Sequence, residues 1–269
     1  MKNEWKVEWY RATHSIWIWC AILIGCLISF CHFVFCVVPL AKFVYFAEAI
    51  YPLSAYGKWM GVDNTTVYAG LYYFVLPIIS SVPFVGSLKE DLQTGYIRNV
   101  VTRVEKSKYF FVKYSVTFVI SGFVSVFPLI LNFILTALIL PLLTPQANTA
   151  NFPIFQYCFL GDFYYKHPLG YVLIFLLITY AFMGLLATTG LLASYICNRV
   201  FSVVLTPYII YLLLYALTQI TGWNQVCPYA FLRPGQPVAA NAFVIIIEMC
   251  ILLFAGGVYF YVSKKREVI

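Results

Sequence analysis

Charged side chains along this chain gather in clusters, and between the clusters lie six long windows that are apolar. They run from Arg11 to Lys42, Asp63 to Lys89, Lys113 to Asp162, Lys166 to Arg199, Arg199 to Arg233 and Arg233 to Lys264, the last broken only by Glu248. Each exceeds the roughly 20 apolar residues that a membrane-spanning helix needs. The pattern therefore predicts an all-α, polytopic fold with six spans, near Ser15–Leu40, Val67–Leu88, Tyr109–Leu142, Leu169–Ile196, Phe201–Ile220 and Ala239–Val262. The third window is the longest, but its second half contains Thr144-Pro145-Gln146-Ala147-Asn148-Thr149, which reads as an exposed loop. At 1.5 Å per residue the third span would rise about 51 Å, beyond a ~30 Å hydrocarbon core, so it must tilt, project, or bend at Pro128.

The segments between the windows carry patterns of their own. Residues 1–14 place Trp5, Trp9 and Ala12 on one helical stripe that leads into Ile16, with Lys6, Tyr10 and Arg11 pointing elsewhere. That predicts an amphipathic helix lying at the membrane interface, anchored by Trp5 and Trp9; the alternative is a frayed polar tail. The span that follows is too long for the core of a signal peptide and is expected to stay as an anchor. Residues 87–108 hold Leu92, Tyr96, Val100 or Val101 and Val104 on one face and charges on the other, which predicts an amphipathic helix outside the membrane. Of the segments on the opposite side, 41–64 mixes aromatics with Lys and Glu and is expected on the surface. Residues 221–240, poor in charge and rich in Pro and Gly, are expected to dip back into the interface. Residues 263–269 form a basic tail.

Composition sharpens this. In 269 residues, 62% are hydrophobic, 19% aromatic and 10% charged, against about 25% charged in a soluble domain. So few charges cannot cover a core of this size, which excludes a soluble fold, and the chain is too apolar to be disordered. The basic residues are also asymmetric. Lys2, Lys6, Arg11, Lys89, Arg98, Arg103, Lys106, Lys108, Lys113, Arg199, Lys264, Lys265 and Arg266 fall on one side of the six-span topology; only Lys42, Lys58, Lys166 and Arg233 fall on the other. By the positive-inside rule both termini are cytoplasmic. The net charge of +7 is thus a topology signal, and no nucleic-acid partner is expected.

Catalytic signatures are absent. There is no G-x-x-x-x-G-K-[ST] phosphate loop, no H-E-x-x-H pair and no G-x-S-x-G elbow, so no cofactor or metal site is expected in this chain. Three polar residues stand at membrane depth: Glu248, His32 and Asn132. An intramembrane carboxylate marks either a proton, cation or substrate site or a hydrogen-bonded lock between helices, and Asn132 is a candidate partner for Glu248. His32 reads as a packing residue. Cys158 and Cys227 are the candidate disulfide pair, since both fall on the non-cytoplasmic side; the other six cysteines read as small hydrophobes. Asn64-Thr65-Thr66 matches a glycosylation sequon, a short pattern that recurs by chance.

Asp91-x3-Gly95-x2-Arg98-Asn99, followed by Lys106-x2-Tyr109-x3-Lys113, resembles the loop after the second span in export-type ABC transporter permeases. The nearest group is the bacterial permeases of lantibiotic immunity and peptide-antibiotic resistance. Glu105-Lys106 stands where that family more commonly has Ser-Arg. The resemblance implies a six-span half-transporter in the bacterial cytoplasmic membrane, working with a second permease subunit, the same or homologous, and a cytoplasmic ABC ATPase subunit that binds ATP and Mg. It implies that Glu90, Asp91, Gly95, Arg98, Asn99, Arg103 and Lys106 form or flank the coupling helix that docks on the ATPase. The substrate would be amphipathic or hydrophobic, such as an antimicrobial or secreted peptide. A lipid or lipid-linked glycan, a proton-coupled carrier using Glu248, and a membrane-embedded enzyme are the competing readings.

Overall fold

The computed structural model describes residues 2–43, 53–145, 153–155, 157–235 and 238–265, and among these it is helical with no strand. Helix α1 (Lys2–Thr13) is followed by α2 (Ile16–His32), whose first turn is capped by Ser15 accepting from the Trp17 amide. A π-helical turn, Phe33–Val37, and a 3-10 turn, Val38–Phe43, extend α2. Then come α3 (Ala55–Lys58), α4 (Val67–Ser81), α5 (Ser87–Gln93), α6 (Tyr96–Val101) and α7 (Lys106–Ile139). The chain closes with α8 (Gly161–Lys166), α9 (Pro168–Ala193), α10 (Val200–Thr221), α11 (Pro228–Phe231) and α12 (Ala242–Lys265).

Five of these elements are long and apolar enough to cross a membrane: Ile16–Lys42, α7, α9, α10 and α12. Leu23, Leu27 and Phe30 on α2, Leu213 and Leu217 on α10, and Ile247, Ile251 and Phe254 on α12 are exposed. An apolar surface of this extent has no place in water and fits a lipid-facing belt of a multi-pass membrane protein.

The expected second span is shorter than its charge-free window. α4 has 15 residues and rises about 22 Å. Its end is written locally: Pro83 lacks an amide hydrogen, and the Ser80 and Ser81 hydroxyls donate to the Pro77 carbonyl at 3.0 and 2.6 Å, drawing on the helix's own acceptors. Residues 82–86 turn tightly, and a Cβ on Gly86 would lie 2.7 Å from Val200 of α10. By contrast α7 runs unbroken through Pro128 for 34 residues.

α7 and α9 are the central pair. A Cβ on Gly122 would sit 2.8 Å from the Tyr180 carbonyl, and one on Gly184 the same distance from the Phe118 carbonyl. The two glycines thus bring the helices together at two levels, as small residues do where lipid offers no hydrophobic drive. α2 packs on α7 with the stripe Ile18, Ala21, Gly25, Ser29 and His32, Gly25 lying against Pro128. Around Pro128, α7 carbonyls take side-chain donors from three elements. Ser29 Oγ reaches the Pro128 oxygen (2.8 Å), Tyr72 Oη that of Ser125 (2.6 Å) and Trp59 Nε1 that of Leu129 (3.0 Å).

The expectation that residues 41–64 lie on the surface is overturned for the described part, 53–64; residues 44–52 lie outside the described residues. Trp59 and Met60 are fully buried, and the Met60 amide donates to Asn132 Oδ1 at 2.9 Å. The Trp59 indole buries its apolar body because its one polar atom finds a carbonyl. Residues 221–225 are exposed, but 227–235 also fold back into the bundle. Gly222 ends α10 in the left-handed region (φ 73°), Phe231 meets Phe182 edge-on, and Leu232 and Arg233 are buried. Arg233 donates to Tyr229 Oη (2.6 Å) and to Asn64 Oδ1 (3.3 Å), so the sequon asparagine is held by a side chain of this segment.

Candidate functional site

Of the residues that carried the family resemblance, Asp91, Tyr109 and Lys113 meet at the lysine-rich end of the bundle. Asp91 on α5 is 2% exposed. Its Oδ2 accepts from Lys113 Nζ and from Tyr109 Oη, both on α7 and both at 2.6 Å. Arg11 of α1 grips the same carboxylate with two donors, Nη2 to Oδ1 at 2.6 Å and Nη1 to Oδ2 at 3.2 Å. Glu8 completes the cluster, accepting from Lys113 Nζ at 2.9 Å and from Arg11 Nη1 at 3.0 Å. Two carboxylates thus meet two cations, a neutral set that satisfies the requirement for burying charge. Lys113, fully buried, also lies over the Phe84 ring at 4.7 Å, and Arg11 lies over Tyr96 at 4.9 Å.

This arrangement corrects two expectations. Arg11 points into the protein, and the inward face of α1 carries Glu8 and Ala12. Trp5 is half-buried, and Trp9, 6.5 Å from it by ring centroid, is exposed. Asp91, expected in the docking segment, is buried and engaged on three sides within the chain. Burial pushes its carboxyl up, but the Arg11 bonds, the Lys113 charge and bond, and the Tyr109 hydroxyl together hold it below the ordinary carboxylate value. Glu8 and Arg11 were the residues missed; Lys113 stood in the motif without a partner assigned to it. The only local hint was the opposite-charge spacing of Glu8 and Arg11, three residues apart in α1.

The predicted single amphipathic helix over 87–108 is two short helices and the start of α7. Gly95 breaks it in the left-handed region (φ 72°), a conformation that costs little only without a Cβ. Leu88 and Ile97 are buried against Tyr109 and Phe110 of α7, Leu191 of α9 and Tyr259 of α12; Leu92, Val100 and Val101 pack at the edge of this cluster. Glu90, Arg98, Asn99 and Arg103 are exposed. Lys106 turns away from them, its ammonium donating to the Lys264 carbonyl on α12 at 3.3 Å.

The intramembrane polar residues fall into two groups. His32 and Asn132 meet: Asn132 Nδ2 lies 3.1 Å from His32 Nδ1 and 3.0 Å from the Ser29 carbonyl. His32 Nε2 is 3.8 Å from Asp63 Oδ2, which is itself 3.6 Å from Lys58 Nζ. Burial raises the Asp63 carboxyl, but His32, the Thr65 hydroxyl and amide and the Lys58 charge outweigh it and keep it below its ordinary value. His32 therefore packs within a polar cluster that pins 58–65 onto α2 and α7. Asn132 is committed to it and does not serve Glu248, a correction to that expected pairing.

Glu248 stands apart. It is 8% exposed, and neither carboxyl oxygen has a hydrogen-bond partner among the described residues. Its level follows from helical rise: Gly256 of α12 packs on Tyr114 of α7. Eight residues farther from the lysine-rich end on each helix, about 12 Å, stand Glu248 and Gly122. The carboxyl therefore lies well inside the spanning region, near the point of closest approach of α7 and α9. A buried carboxyl without a partner is costly as an anion.

Cys158 and Cys227 are both buried, and the candidate disulfide between them is not formed. Among the described residues no group of three His, Cys, Asp or Glu side chains is placed to hold a metal ion. Comparison of the chain with protein-family models, with curated proteins and with solved structures finds no match.

Proposed function

We propose that this chain is the permease subunit of an ATP-driven ABC exporter in the bacterial cytoplasmic membrane, with both termini cytoplasmic and α1 lying at the interface. In this reading a separate ABC ATPase subunit binds ATP and Mg, a second permease subunit completes the path, and the cargo is an amphipathic or hydrophobic molecule, foremost an antimicrobial or secreted peptide. One observation carries it: α5, α6 and the turn after them present Glu90, Arg98, Asn99 and Arg103 to solvent, while Asp91 of α5 is tied to α1 and α7. A soluble subunit pushing on α5 and α6 would move α7, the longest helix of the bundle, because a buried multidentate ionic contact transmits displacement where a solvated loop absorbs it. This chain's part is the path and the lever; hydrolysis belongs to the partner.

The test is purification of the detergent-extracted protein from its native host. A nucleotide-binding subunit is expected to co-purify and to be lost with Arg98→Ala together with Asn99→Ala. Retention of transport without any ATPase sinks the reading. The unpartnered Glu248 favours a second reading, a carrier driven by a proton gradient, for which Glu248→Gln abolishes uptake or efflux in vesicles lacking ATP.

A further inference from the structure

Where α7 begins and α12 ends, the two helices leave a cavity of about 760 Å³ between them. Its rim is basic: Lys106, Lys108 and Lys264 line it, against one acid, Glu105, which pairs with Lys108 at 3.1 Å. Lys108 and Lys264 are both exposed at that rim. Its wall is aromatic: Phe111 of α7, about half exposed, and Phe260 of α12 face each other in a stacked pair with centroids 6.3 Å apart. The Lys106 ammonium bridges to the Lys264 carbonyl, so the two helices are fastened across the rim. A charged mouth thus opens onto an apolar wall built from two membrane-spanning helices.

We propose that this cavity binds an anionic phospholipid of the adjacent leaflet, its phosphate headgroup at the lysines and an acyl chain along Phe111 and Phe260. The excess of cationic over acidic lining complements a phosphodiester. The aromatic wall selects a lipid over a free anion, because a free phosphate has nothing to bury there. A lipid with a zwitterionic headgroup would bring an ammonium cation to a rim that is already positive. The site is independent of which transport reading holds, since it uses neither the exposed residues of α5 and α6 nor Glu248.

The test is native mass spectrometry of the full chain in detergent, with phosphatidylglycerol or phosphatidylcholine of identical acyl chains added. The phosphatidylglycerol adduct should dominate. It should fall in the double variant Lys108→Gln, Lys264→Gln by about 25-fold, taking roughly fivefold per lysine at a charged membrane surface. Lys166→Gln, the loss of one such charge at the opposite end, should leave it unchanged. Helical content by circular dichroism and the elution profile check that the double variant folds; if it does not, Lys264→Gln alone should still lose about fivefold. Equal adducts with the two lipids, retention of phosphatidylglycerol by the lysine variants, or its full displacement by millimolar inorganic phosphate would each overturn the proposal.

Discussion

Asp91 Oδ2 and Lys113 Nζ lie 2.6 Å apart, 22 residues distant in sequence and both buried. Around them Glu8 and Arg11 bring a third helix to the same point. The contact is a joint: it fixes α5 to the first turns of α7 and to α1.

Breaking one side of that joint strands a buried charge. Asp91→Asn or Lys113→Met is expected to cost about 3–5 kcal/mol, the range for removing one partner of a buried pair. The double variant should be more stable than the sum of the two losses predicts, because the remaining Glu8–Arg11 pair is then neutral by itself. Thermal unfolding in detergent, arranged as a double-mutant cycle, checks this; strictly additive losses would show that the two side chains do not act on each other.

The same joint should be sensitive to acid. The folded Asp91 carboxyl titrates below its ordinary value, near 3.9 when unfolded. Its contribution is therefore fully present above about pH 4 and is lost as pH falls through the folded value. Stability of the wild type should drop on acidification in that window, and Asp91→Asn should flatten this limb. An unchanged slope in the variant would assign the acid loss to other groups.

The central helix pair should tolerate no added bulk where it is tightest. Gly122→Leu and Gly184→Leu place atoms within 3 Å of a facing backbone oxygen, and a cost of about 1–3 kcal/mol or failure to fold is expected for each. Gly257→Ala, where a Cβ meets nothing within 4 Å, should change little and serves as the control on α12. Thermal melting of the three purified variants ranks them.

Topology is open to direct labelling. In a cysteine-free background, Ser107→Cys and Thr144→Cys are both exposed and lie just beyond opposite ends of the long helix α7 or in its first turn. A membrane-impermeant maleimide applied to sealed inside-out vesicles should label position 107 and not 144, and intact cells should give the reverse. Labelling of both from one side would overturn the two-sided arrangement, and the opposite pattern would invert the orientation assigned from the lysines and arginines.

What the sequence determined was local in origin. Charge-free windows longer than a bilayer is thick, with basic residues to one side, are enough to specify apolar helices and their order, because a helix satisfies its own backbone wherever lipid surrounds it. Where helices break was less legible: the predicted elements Val67–Leu88 and 87–108 run through Pro83 and Gly95, at which the structure ends or turns them. Other matters depended on partners remote in the chain, and no local pattern announces those. Asp91 reads as a surface charge until Arg11, 80 residues away, closes on it. Trp59 and Met60 read as loop until Leu129 and Asn132 of α7 supply the acceptors that let them be buried. Glu248 reads the same with or without a partner; only the assembled bundle leaves both its oxygens unmatched. Tertiary structure alone decides such cases, since the free energy of a buried polar group is set by what faces it and not by its neighbours in sequence.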